Sequence, residues 1–140
     1  MYEYDTVVGS VIKYDKIRVV HYSSLALGLV LEREENGCDV NEVVSYNPGN
    51  CAGNMSVIRK YCAVLNTEGC PSIEKFIKKY KLGKPYKRFG SPVFLFDRPL
   101  YELNEKKLKE LDPEGCEEYE KHYDEIFDAA RKDVIENGYF

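Results

Sequence analysis

Apolar residues change their spacing part-way along this chain, and that change limits the fold more than any other feature. Up to residue 46 they come in short runs rich in Val, Ile, Leu and Tyr; later they recur three and four positions apart. The first pattern suits strands, and the second suits helices that bury one face. Strands first and helices later predict an α+β class. The expected architecture is an antiparallel sheet from the N-terminal half, with three to four helices packed on one face.

The runs at 4–13 and 16–22 read as a hairpin joined by Tyr14-Asp15-Lys16, with Gly9 as a bulge or a close backbone approach. Residues 25–31 form an apolar run that fits a buried strand. Glu34-Glu35-Asn36-Gly37 is a turn signal, and 40–46 the next strand, ending at Asn47-Pro48-Gly49. A helix is predicted after Asn54, because Val57, Ile58, Tyr61, Cys62 and Leu65 share one face at helical spacing. A second opens at Pro71, with Ile73, Phe76, Ile77 and Tyr80 inward and Gly83 as its stop. Residues 92–96 suit a strand and 103–111 a short helix. The last helix, 117–137, carries the stripe Tyr119, Tyr123, Ile126, Phe127, Ala130 and Val134.

A length of 140 residues predicts a single domain over 1–140. Such a chain buries roughly two-thirds of its unfolded surface, enough for a core without staples. Five cysteines, an odd number with no CxxC spacing, argue against a disulfide framework and against a structural zinc site. Free thiols, an acidic N-terminus unlike a signal peptide, and no apolar run long enough to span a bilayer together predict a cytoplasmic protein. No metal, cofactor or membrane partner is expected.

Charge is unevenly spread. Lys plus Arg against Asp plus Glu stand at 4 to 8 over residues 1–56, 10 to 3 over 57–100 and 6 to 13 over 101–140. The basic middle opens just after a loop rich in Gly and Asn, 47–56. Backbone N–H groups of such a loop, at the start of a helix, can converge on an anion. Gly49, Asn50, Gly53 and Asn54 are the candidate backbone donors, and Arg59 and Lys60 the candidate cations. The same residues also suit a plain strand-to-helix turn that needs positive φ. Lys75, Lys78, Lys79 and Lys81 fall on the outer face of the second helix, where solvation explains them. Lys84, Tyr86, Lys87 and Arg88 are assigned to an exposed loop, with Tyr86 and Arg88 placed to close or stack on a ligand. The competing expectation is that the acidic C-terminal helix docks on the basic second helix and neutralises it.

These features predict a binding protein for a phosphate-bearing ligand, either a nucleotide-like or other anionic small molecule or single-stranded nucleic acid. A homodimer is the commonest way for a small domain to complete a pocket. Small, Tyr-rich, motif-poor proteins of phages and mobile elements often sequester or inhibit, an analogy of class only. The alternative from that analogy is an inhibitor module that binds a protein partner through the Tyr-rich sheet or the acidic helix. A third reading is a small enzyme using Cys51 and His21, although no spacing supports the pair. His122 is expected to be solvent-exposed, and the acids at 117–120 to favour the helix dipole rather than acid–base chemistry.

Overall fold

A computed structural model describes residues 1–22, 25–47, 59–89 and 98–137; the side chains of 87–89, 98 and 130–137 lie outside that description. The chain runs β1 (Tyr2–Asp5), β2 (Val11–Tyr14), β3 (Lys16–His21), β4 (Leu27–Glu35), β5 (Cys38–Val43), β6 (Ser45–Tyr46) and β7 (Cys62–Leu65). Then follow α1 (Ile73–Lys79), β8 (Gly83–Phe89), β9 (Arg98–Leu103), α2 (Glu105–Leu111) and α3 (Pro113–Asn137). The class is mixed α+β, with antiparallel sheets and three helices among the described residues. The strands form a β1-β2 pair, a β3-β4-β5 sheet and a β6-β7-β9-β8 sheet.

The first hairpin differs from expectation. β2 pairs with β1, and β3 pairs with β4. The turn lies at 6–10, where the Thr6 N–H donates to the Ser10 carbonyl at 2.9 Å and Gly9 takes φ +85°. A local turn of this kind brings β1 and β2 together at low entropic cost. Tyr14-Asp15-Lys16 instead carries the chain from one sheet to the next.

β4 is buried along Leu27–Leu31 because both of its faces are covered. Leu27, Leu29 and Leu31 join the main core, and Gly28 lies under Val20 and the Tyr22 ring. A Cβ on Gly28 would meet the Val20 side chain at 2.5 Å, so only glycine fits there. The β4–β5 hairpin turns at Asn36 (φ 53°) and Gly37 (φ 79°), residues that tolerate two successive positive φ angles.

The helix predicted over the segment after Asn54 is corrected by β7. Cys62–Leu65 is a strand between β6 and β9. All four residues are buried: Ala63 and Leu65 face the main core, while Cys62 and Val64 face a second cluster with Leu25, Ala26 and Leu100. A four-residue apolar run buried on both faces carries no period, so spacing could not separate strand from helix. Tyr61, at φ +65°, also departs from right-handed helical geometry.

α1 buries Ile73, Phe76 and Ile77, as the spacing predicts. Asn104 caps α2, its side chain accepting the Lys107 N–H at 3.1 Å. α3 starts earlier than expected, with Pro113 at its first position and the Asp112 carboxylate accepting the Gly115 N–H at 3.1 Å. α1 packs against β1 and β8, whereas α2 and α3 pack against β3 and each other. Tyr119 is buried in the main core, and Tyr123 and Ile126 pack on the second cluster. Phe127 lies 45% exposed, so the apolar stripe leaves the core at that turn. No helix among the described residues is long and apolar enough to cross a membrane. The strand expected at 92–96 lies outside the described residues.

Candidate ligand-binding cleft

The lysines of α1 divide into two groups by their place on the helix. Lys75 and Lys79, four apart, face β1: Lys75 Nζ lies 2.6 Å from Asp5 and Lys79 Nζ 3.4 Å from Glu3. Lys75 holds the Asp5 carboxyl below the usual carboxylate range through that hydrogen bond and its charge. Next to this contact, the Tyr80 hydroxyl accepts the Glu3 N–H at 2.6 Å. These lysines are therefore part of how α1 holds the first hairpin.

Lys78 and Lys81 take the other side. With Lys84 of β8 they line a solvent-open cleft of about 530 Å³, together with Gly83, Glu102, Leu103, Asn104 and Glu105. Among the described residues none of these three lysines forms an ion pair. The two acids of the cleft have other cations close by. Lys109 lies 3.3 Å from Glu105, and Glu102 helps hold the Arg59 guanidinium in its charged form.

The backbone at Lys81 is unusual. The Leu82 N–H bonds to the Ile77 carbonyl at 2.9 Å, and the Lys81 N–H to the Lys78 carbonyl at 3.3 Å. This pair of bonds is the Schellman ending of a helix, and its left-handed position is usually glycine. Here Lys81 occupies it, at φ +54°. The stop signal expected at Gly83 thus acts two residues earlier, and Gly83 opens β8. A side chain in the left-handed region costs about 1–2 kcal/mol relative to the right-handed one. The cleft gains a cation at that cost.

β8 corrects the loop assigned to residues 84–88. It is an edge strand paired to β9, with a register irregularity between Pro85 and Lys87 that falls at Tyr86. Proline and lysines on an edge strand discourage further pairing. Tyr86 is 43% exposed, and the Arg59 guanidinium lies 5.6 Å from its ring centroid. The hydrogen bond to Tyr86, followed by the Glu102 charge, holds the Arg59 pKa above its ordinary value. Arg59 and Tyr86, 27 residues apart in sequence, are thus neighbours, and the Glu102 carboxylate of the cleft is close enough to act on the Arg59 charge.

Lys60 goes elsewhere. Its Nζ lies 2.8 Å from Asp124 of α3 and 5.3 Å from the Tyr123 ring centroid. The Asp124 hydrogen bond is the main cause of its raised pKa. The acidic helix expected to dock on α1 packs instead on β3 and α2, and its Asp124 meets Lys60, while Lys75 and Lys79 of α1 pair with β1. Gly49, Asn50, Gly53 and Asn54 lie outside the described residues, as does Cys51; Arg88 is described only as backbone of β8. Lys78 and Lys81, assigned by spacing to a solvated face, are the cleft residues that sequence reasoning passed over. The signal for Lys81 was its position just past the last helical apolar residue, where a helix commonly reverses.

His21 of the third reading stacks on His122, with ring centroids 4.1 Å apart and planes at 29°. His122 is therefore half-covered rather than free, and its Nε2 is buried without a hydrogen-bond partner among the described residues. No group of three or more His, Cys, Asp or Glu able to hold a metal occurs among the described residues. Cys38, Cys62, Cys70 and Cys116 are free thiols.

Residues 17–123 match the family model DUF4313, described as a domain of unknown function, and the chain belongs to that family. No curated protein and no solved structure matches the chain.

Proposed function

We propose that this member of the DUF4313 family is a binding protein that takes a phosphate-bearing ligand in the cleft between α1, β8 and the end of β9. The observation that carries this reading is the left-handed Lys81. A lysine stands where glycine relieves strain, beside two further lysines without ion-pair partners among the described residues. Lysine ammonium groups are compact point charges with three donors each, suited to the oxygens of phosphate. Glu102 and Glu105 each have another cation close by, Arg59 and Lys109, which lessens their repulsion of an anion.

The test is titration calorimetry with pyrophosphate and ATP against the protein and its Lys78→Glu/Lys84→Glu form. Loss of two charged hydrogen bonds, at about 1.5–3 kcal/mol each, removes measurable binding. Equal affinities for the two forms, with circular dichroism unchanged, overturn the reading. A ligand bound at 100 times its Kd also adds about 2.7 kcal/mol of stability, visible as a higher Tm.

A further inference from the structure

We infer that the ligand of this cleft is single-stranded nucleic acid, with phosphates at the lysines and an unstacked base on Tyr86; this rests on the phosphate reading above. Two observations favour a polymer over a mononucleotide. Pockets for small molecules bury most of their ligand's surface. This cleft is open and lined by Lys78, Lys81, Lys84, Glu102 and Glu105, which suits a backbone passing through. Beyond it stands an aromatic ring on the same edge strand. Lys84 and Tyr86 are two residues apart on β8, a distance of about 7 Å along a strand, so one extended chain reaches both.

Tyr86 is a partly exposed ring on an edge strand. It sits at the register irregularity of β8, where a bulge re-aims a side chain, and it is 43% exposed. The Arg59 guanidinium at 5.6 Å orients the ring and adds positive charge beside it. A base stacked there leaves its own phosphate on the Lys84 side. A duplex keeps its bases paired and stacked and offers none to Tyr86, so single strands are selected.

The experiment is fluorescence anisotropy with four labelled 12-mers: dT, rU, an abasic strand of equal phosphate count, and a DNA duplex. The expected result is binding of dT or rU at least tenfold tighter than the abasic strand and the duplex, within the range of one base–aromatic stack. Whichever of dT and rU binds tighter identifies the source of the strand. Tyr86→Leu should erase the difference from the abasic strand, and Tyr86→Phe should keep it. The wild-type comparison decides alone if Tyr86→Leu misfolds by circular dichroism. Equal affinity for dT, rU and abasic strands, all lost in Lys78→Glu/Lys84→Glu, overturns the base-stacking inference and leaves the phosphate reading standing. No binding of any strand, with pyrophosphate still bound, overturns the polymer while keeping the anion. Failure of strands and pyrophosphate alike overturns both.

Discussion

The Tyr119 hydroxyl accepts the backbone N–H of Tyr61 at 2.8 Å, and the two rings meet edge-on with centroids 5.2 Å apart. Both residues are buried, and Tyr61 is held at φ +65°. From this left-handed residue the chain sends Arg59 toward Tyr86 and Lys60 toward Asp124. One α3 phenol thereby supports the turn from which both cations depart.

Tyr119→Phe removes that acceptor and leaves a buried N–H without a partner. The expected cost is about 1–3 kcal/mol in urea-induced unfolding. A change within about 0.5 kcal/mol, the range of surface substitutions, would mean that the turn holds without Tyr119.

Lys81→Gly separates stability from binding. Glycine relieves the left-handed strain of about 1–2 kcal/mol but adds freedom to the unfolded chain, so the net expectation is a gain of up to about 1 kcal/mol. Pyrophosphate affinity should fall in the same variant. A merely solvated lysine would show the gain without the loss.

The two phenylalanines on helices should behave differently. Phe76 is 2% exposed and packs against the rings of Tyr2, Tyr4 and Tyr80, so Phe76→Ala should cost about 3–5 kcal/mol. Phe127 touches Tyr123 but is 45% exposed, so Phe127→Ala should cost about 1 kcal/mol or less. Parallel thermal and chemical unfolding of the two variants checks the order.

Alkaline pH should unfold the protein cooperatively. Burial pushes Tyr14 up to about 12 and raises Tyr61 and Tyr119 as well. Unfolded phenols ionise near pH 10, so above that the folded state binds more protons and stability falls as pH rises. This contribution is fully present below pH 10 and declines through about 12, where Tyr14 titrates. Phenolate absorbance and circular dichroism should change together at the end of that window; complete ionisation of all phenols with the fold intact would contradict the burial.

Thiol reactivity should follow exposure. Cys38 is exposed and should react first in the native protein. Cys70 is half-buried, and burial pushes its thiol up, so it should react more slowly. Cys62 and Cys116 are buried and should react only on unfolding. Mass-resolved alkylation over time reads the order directly.

Local signals placed the inward face of α1, the presence of α2 and α3, and the β4–β5 hairpin turn. Helical spacing places Ile73, Phe76 and Ile77 inward and Asn36-Gly37 turns the hairpin, while the Asn104 cap of α2 and the Pro113 start of α3 are local signals that spacing passed over. Each depends on residues within one or two turns of one another, so local sequence carries the information. Tertiary structure alone decided the rest. Cys62–Leu65 became a strand because β6 and β9 flank it and both of its faces are buried, which a four-residue run cannot signal. The fates of the lysines were set by partners far along the chain: Lys75 meets Asp5 across 70 residues, while Lys78 and Lys81 face away. Spacing places a side chain on a face of its own element; what that face meets depends on how distant elements pack.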